Sequence, residues 1–138
     1  SLDLLHNMDA YFPPHIIPVS EPELDIQIGR IYTQAGEPEE LQKRLKRLEA
    51  REGLGLETYF YIAQVYVNEL NSTTDAIRLY SKMKLEYPYI SDIRLALVQI
   101  YSQTENFEKA IQELEEWLIV SPNEEQAIEL LNYLRSQA

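Results

Sequence analysis

Leu97-Val98-Gln99-Ile100-Tyr101, a polar interval ending at Thr104-Glu105-Asn106, then Phe107-Glu108-Lys109-Ala110-Ile111, Leu114 and a stop at Ser121-Pro122 form one unit of sequence. Apolar residues return every three or four positions in each half, the spacing of one buried helical stripe, and the polar interval reads as a turn between two helices. Pro122 lacks a backbone N–H and ends the second half. The opening of this unit occurs three times, as Ile28-Gly29…Tyr32, Ile62-Ala63…Tyr66 and Leu97-Val98…Tyr101, with tyrosines 34 and 35 residues apart. A period of that length marks an array of helical repeats.

With these residues aligned, the sequence resembles the tetratricopeptide repeat (TPR) family of helix-turn-helix units. The match runs from residue 22 to 122, followed by a closing helix. It rests on the small residues Gly29 and Ala63, the three tyrosines, Ala76 and Ala110 opening second helices, and the terminal Pro88 and Pro122. Val98 replaces a small residue, Leu41 replaces an alanine, and Gly53 or Leu54 stands where the first repeat should have its proline. The resemblance implies an all-α, right-handed α-α superhelix (solenoid) of three helix pairs with a C-terminal capping helix. The expected organisation is an N-terminal helix and extended cover over residues 1–21, then repeats at 22–55, 56–90 and 91–124 and a cap over 125–138.

Length and composition agree with a folded domain. The 138 residues are 45% hydrophobic and 25% charged, with few Gly and Pro. Twelve basic against 23 acidic residues give a net charge of −11, which disfavours nucleic acid and anionic membrane surfaces as partners. The absence of cysteine excludes disulfides, thiolate zinc sites and thiol nucleophiles. No run of 18 apolar residues is present and the start carries no basic-then-apolar signal, though its abruptness suggests part of a longer chain.

Taken in order, Leu2, Leu4, Leu5, Met8, Tyr11 and Phe12 are spaced for a short helix stopped by Pro13-Pro14. Residues 15–19 read as extended, and the whole segment as a cover for the first repeat, or as a built-in ligand or a tether to a preceding domain. Ser20 is placed to cap the first helix, with Val19 and Leu24 as its staple. Leu41, Leu45 and Leu48 form the second helix's buried stripe. Lys43, Arg44, Lys46, Arg47 and Arg51 share its remaining surface, read as a solvated face or as a docking patch for an acidic partner or a membrane. Gly53-Leu54-Gly55 is an inter-repeat turn without the lysine a phosphate loop needs. The third helix packs Tyr59, Ile62, Ala63 and Tyr66. Ser72-Thr73-Thr74-Asp75 caps the fourth, whose expected stripe is Ala76, Ile77, Tyr80, Met83 and Leu85 or Tyr87. The extra residue of the second repeat belongs between Tyr66 and Ala76. Ser121-Pro122-Asn123-Glu124 forms a second capping box before a last helix striped by Ala127, Ile128, Leu131 and Leu134.

The resemblance further implies a concave wall lined by the first helix of each repeat. Matching positions put Glu23, Ile26, Arg30 and Thr33 there, then Glu57, Phe60, Gln64 and Val67, then Asp92, Leu95, Gln99 and Ser102. Ile26, Phe60 and Leu95 would be its apolar anchors. Ile26, Arg30, Phe60, Gln64, Leu95, Gln99 and Ser102 are therefore the candidate ligand-binding residues, for a peptide or protein segment. One TPR subclass clamps C-terminal carboxylates. Its positions hold Ile26, Arg30, Tyr61, Asp92 and Ala96 here, with one cation and one repelling acid.

Catalysis finds little support. His6 and His15 lack metal-ligand spacing, and the pairs Glu115-Glu116 and Glu124-Glu125 are sequence neighbours with no sign of a raised pKa. No cofactor or metal is expected. The expected function is non-catalytic protein binding. A second expectation comes from Met8-Asp9-Ala10-Tyr11-Phe12-Pro13 and Ile17-Pro18, which look like the tail of a bacterial multi-spanning, glycosyltransferase-like membrane protein family and imply an accessory domain tethered to a membrane. Self-association through Tyr61, Tyr89 or Trp117 is a third.

Overall fold

The computed structural model describes residues 21–137. The expected N-terminal cover, the cap at Ser20 and both histidines lie outside the described residues. Those described form seven α-helices and no strand: α1 (Glu21–Gln34), α2 (Pro38–Glu49), α3 (Leu56–Asn68), α4 (Thr73–Glu86), α5 (Ser91–Gln103), α6 (Phe107–Val120) and α7 (Glu125–Gln137). They gather into two compact units, one ending at Leu70 and the other beginning at Asn71.

In the first unit α1 packs along α2, and α3 follows against α2. The approach of α1 to α2 is close because Gly29 has no side chain. A Cβ built there would lie 2.8 Å from Leu41 Cδ1 and 3.0 Å from Leu41 Cα, nearer than carbon atoms tolerate. Leu41, Leu45 and Leu48 line the inner side of α2, while Ile62, Ala63, Val65 and Tyr66 do so on α3. In the second unit α5 packs on both α4 and α6, and α7 closes on α6. Its core is Leu79, Tyr80 and Met83 from α4, Ile93, Leu97 and Val98 from α5, Leu114 and Trp117 from α6, and Leu131 and Leu134 from α7.

The turns obey the same local chemistry. Gly36 ends α1 at φ +89°, where Glu37 N–H donates to Tyr32 O at 2.9 Å. Glu105 takes that place after α5 at φ +60°, and Asn106 N–H donates to Tyr101 O at 2.7 Å. After α3 the left-handed residue is Asn71, one position later relative to its tyrosine. The inserted residue is thus absorbed in the interval the sequence indicates. Pro38 opens α2 at a position where no N–H is needed. Asn106 caps α6 by accepting from Lys109 N–H, whereas the expected Ser72 cap is not made: its hydroxyl donates instead to Asp75 Oδ2 at 2.6 Å.

Several buried stripes differ from expectation. On α4 the buried set is Ala76, Leu79, Tyr80 and Met83, a run of i, i+3, i+4 and i+7, with Ile77 half-buried and Leu85 82% exposed. Leu85 stands about 180° from Ala76 at 100° per residue, so it could join that stripe only by unwinding the helix. Tyr87 and Ile128 are exposed, and Tyr59 is half-buried with its hydroxyl donating to Arg51 O at 2.8 Å. Trp117, expected at the surface, is 1% exposed because it occupies on α6 the repeat position that Leu48 and Met83 fill on α2 and α4. Arg44 is buried too, paired with Asp25 and Glu40 and set over the Tyr32 ring, so the α2 cations do not form one solvated face.

The Gly29–Leu41 approach yields a test. Gly29→Ala gains about 1 kcal/mol of helix propensity but forces an overpacking cost of about 1–3 kcal/mol. We expect a net loss in urea unfolding, and a smaller loss in a Leu41→Ala background, which removes the contact to Cδ1 but keeps the one to Cα. Equal effects in both backgrounds would show that the two residues do not share the space.

Candidate functional site

Four of the seven candidate residues lie in the first unit. Arg30 is half-buried on α1, and on α3 Phe60 is half-buried while Gln64 is exposed. Ile26 is not an exposed anchor: it is 1% exposed. The arc that α1 withdraws from water runs from Ile28 through Tyr32 and Gly29 to Ile26, about 160° at 100° per residue, and an isoleucine at its edge is drawn in. Thr33 is half-buried and turns its hydroxyl back on Gly29 O at 3.0 Å.

Arg30 and Gln64 line one open depression of about 190 Å³ together with Tyr61, Val65, Asn68 and Glu69. Tyr61, Gln64 and Asn68 fall three and four residues apart, on one face of α3. Arg30 reaches across from α1 to Glu69 at the end of α3, with Nε 2.7 Å from Oε1 and Nη2 2.6 Å from Oε2. Its guanidinium carbon lies 5.7 Å from the Tyr61 ring centroid. The hydrogen bonds to Glu69 raise the Arg30 pKa against the opposing effect of burial, so the guanidinium stays charged and its charge stays matched. The depression therefore presents a neutralised ion pair, an aromatic ring and two carboxamides. Sequence reading named Gln64 but missed Asn68, which the four-residue spacing on α3 could have found. Glu69 was not readable, since it meets Arg30 from 39 residues away.

Leu95, Gln99 and Ser102 lie in the second unit, on α5. They share one face, with Gln99 exposed and the other two half-buried. Beside α5 runs a network that sequence reading missed. Buried Arg94 donates from Nε to Pro88 O at 2.9 Å and from Nη1 to Glu116 Oε1 at 3.2 Å. Lys84 Nζ lies 2.9 Å from Glu113 Oε1 and 3.1 Å from Glu116 Oε1. Of the three aromatics considered for self-association, Tyr89 is exposed, Tyr61 is half-buried beneath Arg30 and Trp117 is core. Among the described residues no group of three or more His, Asp or Glu could hold a metal ion. No helix among them is long and apolar enough to cross a membrane.

Successive helix pairs with tight turns and a small-residue contact define a TPR-like helical-repeat fold. Solved structures agree. The chain is similar to a mutant of MamA (16% identity, TM-score 0.54), over 96% of this chain and 75% of that one. It is similar also to a MamA MSR-1 structure (18%, TM-score 0.55), over 99% and 76%. PcrH from Pseudomonas aeruginosa matches at 14% identity and TM-score 0.50, over 90% and 95%. MamA and PcrH are TPR-repeat proteins, and at these identities the likeness is one of fold. No protein-family model matches the chain, and no curated protein does.

The α4–α6 network makes a pH prediction. Burial acts to raise the Glu116 pKa, but the hydrogen bonds and charges of Lys84 and Arg94 outweigh it and hold the carboxyl below its ordinary 4.5. Burial likewise acts to lower Lys84, and Glu113 and Glu116 outweigh it, so its pKa sits above 10.5. A depressed carboxyl stabilises the fold above its unfolded pKa, and that contribution is lost as pH falls through the folded value. A raised lysine stabilises below its unfolded pKa, and that contribution is lost as pH rises through the folded value. Lys84→Met should therefore cost most near neutrality and progressively less on acidification, as Glu116, then held by Arg94 alone, becomes protonated. Denaturant midpoints for both proteins from about pH 7 to about pH 3 check this. Parallel curves would show that Lys84 does not act through these carboxyls.

Proposed function

We propose that this chain is a non-catalytic protein-interaction module that binds a peptide or protein segment on the exposed faces of its first helices. The observation that carries the reading is the depression between Arg30, Tyr61, Gln64, Asn68 and Glu69. A peptide bond offers one N–H and one C=O, and a carboxamide offers both complements, so Gln64 and Asn68 suit an extended main chain. Tyr61 adds rigid contact area at small entropic cost, and half-buried Phe60, one turn from Gln64 on α3, supplies an apolar contact for a side chain. A TPR-like fold keeps such surfaces apart from the buried frame, which lets them be specialised without loss of stability. The residues chemistry would need are scarce: the chain has no cysteine, and its only histidines are His6 and His15.

The test is affinity selection from a randomised peptide library, followed by titration of the selected peptides. Phe60→Ala and the Gln64→Ala/Asn68→Ala pair should each weaken binding by about tenfold, as loss of a central contact does, with melting temperature nearly unchanged for the exposed pair. Lys82→Ala, at an exposed position on α4, should leave it intact. Peptides that bind all these variants alike would rule out the first-helix faces as the site.

A further inference from the structure

Resting on the reading of α1 and α3 as a peptide-binding face, we infer that Glu69 sets the chemistry this face accepts: it occupies Arg30, excludes C-terminal carboxylates, and leaves a site for the interior of an uncharged polypeptide stretch. Among the described residues Arg30 is the single cation lining the depression. A guanidinium binds a carboxylate best through a pair of parallel N–H donors, and Glu69 already holds such a pair, Nε and one N–H of Nη2. The Arg30 face is turned to Tyr61. An incoming carboxylate would have to displace Glu69 or take the Nη1/Nη2 edge, where it shares the cation with the Glu69 carboxylate.

Displacement is unfavourable for two reasons. Glu69 is attached to the site, so its effective concentration is about millimolar or higher, well above that of a ligand at micromolar concentration. Glu69 is also the C-cap residue of α3, where the helix presents unpaired carbonyls and the negative end of its dipole. A carboxylate is poorly placed at that end, and Arg30 compensates for the one already there. A second anion would have to share this compensation while facing Glu69 itself. Both side chains of the pair are about one-third exposed (28% and 33%), so solvent weakens these terms without removing them.

A main-chain amide meets none of these obstacles. Gln64 and Asn68 lie one turn apart on α3 with their carboxamides exposed, and each can give and accept one hydrogen bond to a peptide group. Such recognition does not require a chain end. Glu69 thus acts as a specificity-determining residue by what it prevents.

The experiment uses the whole chain and a randomised peptide library displayed in two formats, anchored at the N-terminus with a free C-terminal carboxylate, or anchored at the C-terminus without one. Selected sequences are then titrated as synthetic peptides with a free acid or an amide at the C-terminus. For the unsubstituted protein the acid-to-amide affinity ratio should be near one. Glu69→Gln frees Arg30 and should raise that ratio about five- to tenfold, a charge-assisted hydrogen bond discounted for exposure. Arg30→Gln placed in the Glu69→Gln background should return the ratio to near one, which shows that the change in Glu69→Gln works through Arg30. A strong acid preference in the unsubstituted protein, or an unchanged ratio in Glu69→Gln, overturns the inference while leaving the binding face in place. Failure of both formats to retain any peptide overturns the binding-face reading and this inference with it.

Discussion

Gly29 carries no side chain because Leu41 stands where one would be. This steric constraint governs how α1 and α2 pair, since ridges interlock only when the axes approach closely and something small lies at the crossing. It also gives meaning to two departures from the TPR pattern. Leu41 is large where that pattern has alanine, and the size is recovered across the crossing by Gly29. In the third pair the exchange runs the other way: Val98 is large on α5, and Ala110 on α6 is small, both buried. In these two pairs a large residue at one position is matched by a small one at the other, as close packing favours.

A parallel exchange occurs in charge. Asp25 and Arg94 occupy the same repeat position, seven residues before Tyr32 and Tyr101. Arg47 and Glu116 likewise share a position, six residues after Leu41 and Ala110. Asp25 pairs with Arg47 at 3.5 Å and Arg94 with Glu116 at 3.2 Å, so the same cross-pair tie is made with its polarity reversed. The more buried members have further partners: Asp25 also binds Arg44, and Arg94 also donates to Pro88 O. That pattern follows from the cost of burying charge, since an exposed pair contributes little but a buried ion left alone costs several kcal/mol.

These exchanges explain what could be read from the chain and what could not. Periodicity exposed the frame because Ile28, Ile62 and Leu97, and the tyrosines four positions later, return to the same helical face whatever surrounds them. Asn71 shows that even the inserted residue was legible, because turns tolerate it and helices do not. Helical spacing was indecisive at the edge of an arc and repeat comparison hid residues that the spacing allows. Ile26 sits at such an edge and is withdrawn from water, Leu79 shares its repeat position with the charged Arg44 and Glu113, and Trp117 is large and aromatic where Leu48 is aliphatic. The candidate site was least legible, since its character depends on Arg30 meeting Glu69 across 39 residues and no local pattern announces such a pair.

That pair also separates two electrostatic effects which the composition alone would merge. A net charge of −11 makes the chain attractive to cationic partners as a whole, but this effect is screened beyond about 8–10 Å at physiological salt and acts mainly on the rate of encounter. Within the depression the balance among the described residues is local: one cation and one anion, mutually hydrogen-bonded, beside the carbonyl end of α3 and two neutral amides. Long-range repulsion of acidic ligands and local occupation of Arg30 act in the same direction, yet salt weakens the first far more than the second. A preference that survives at high ionic strength therefore has its origin in Glu69 rather than in the acidity of the chain.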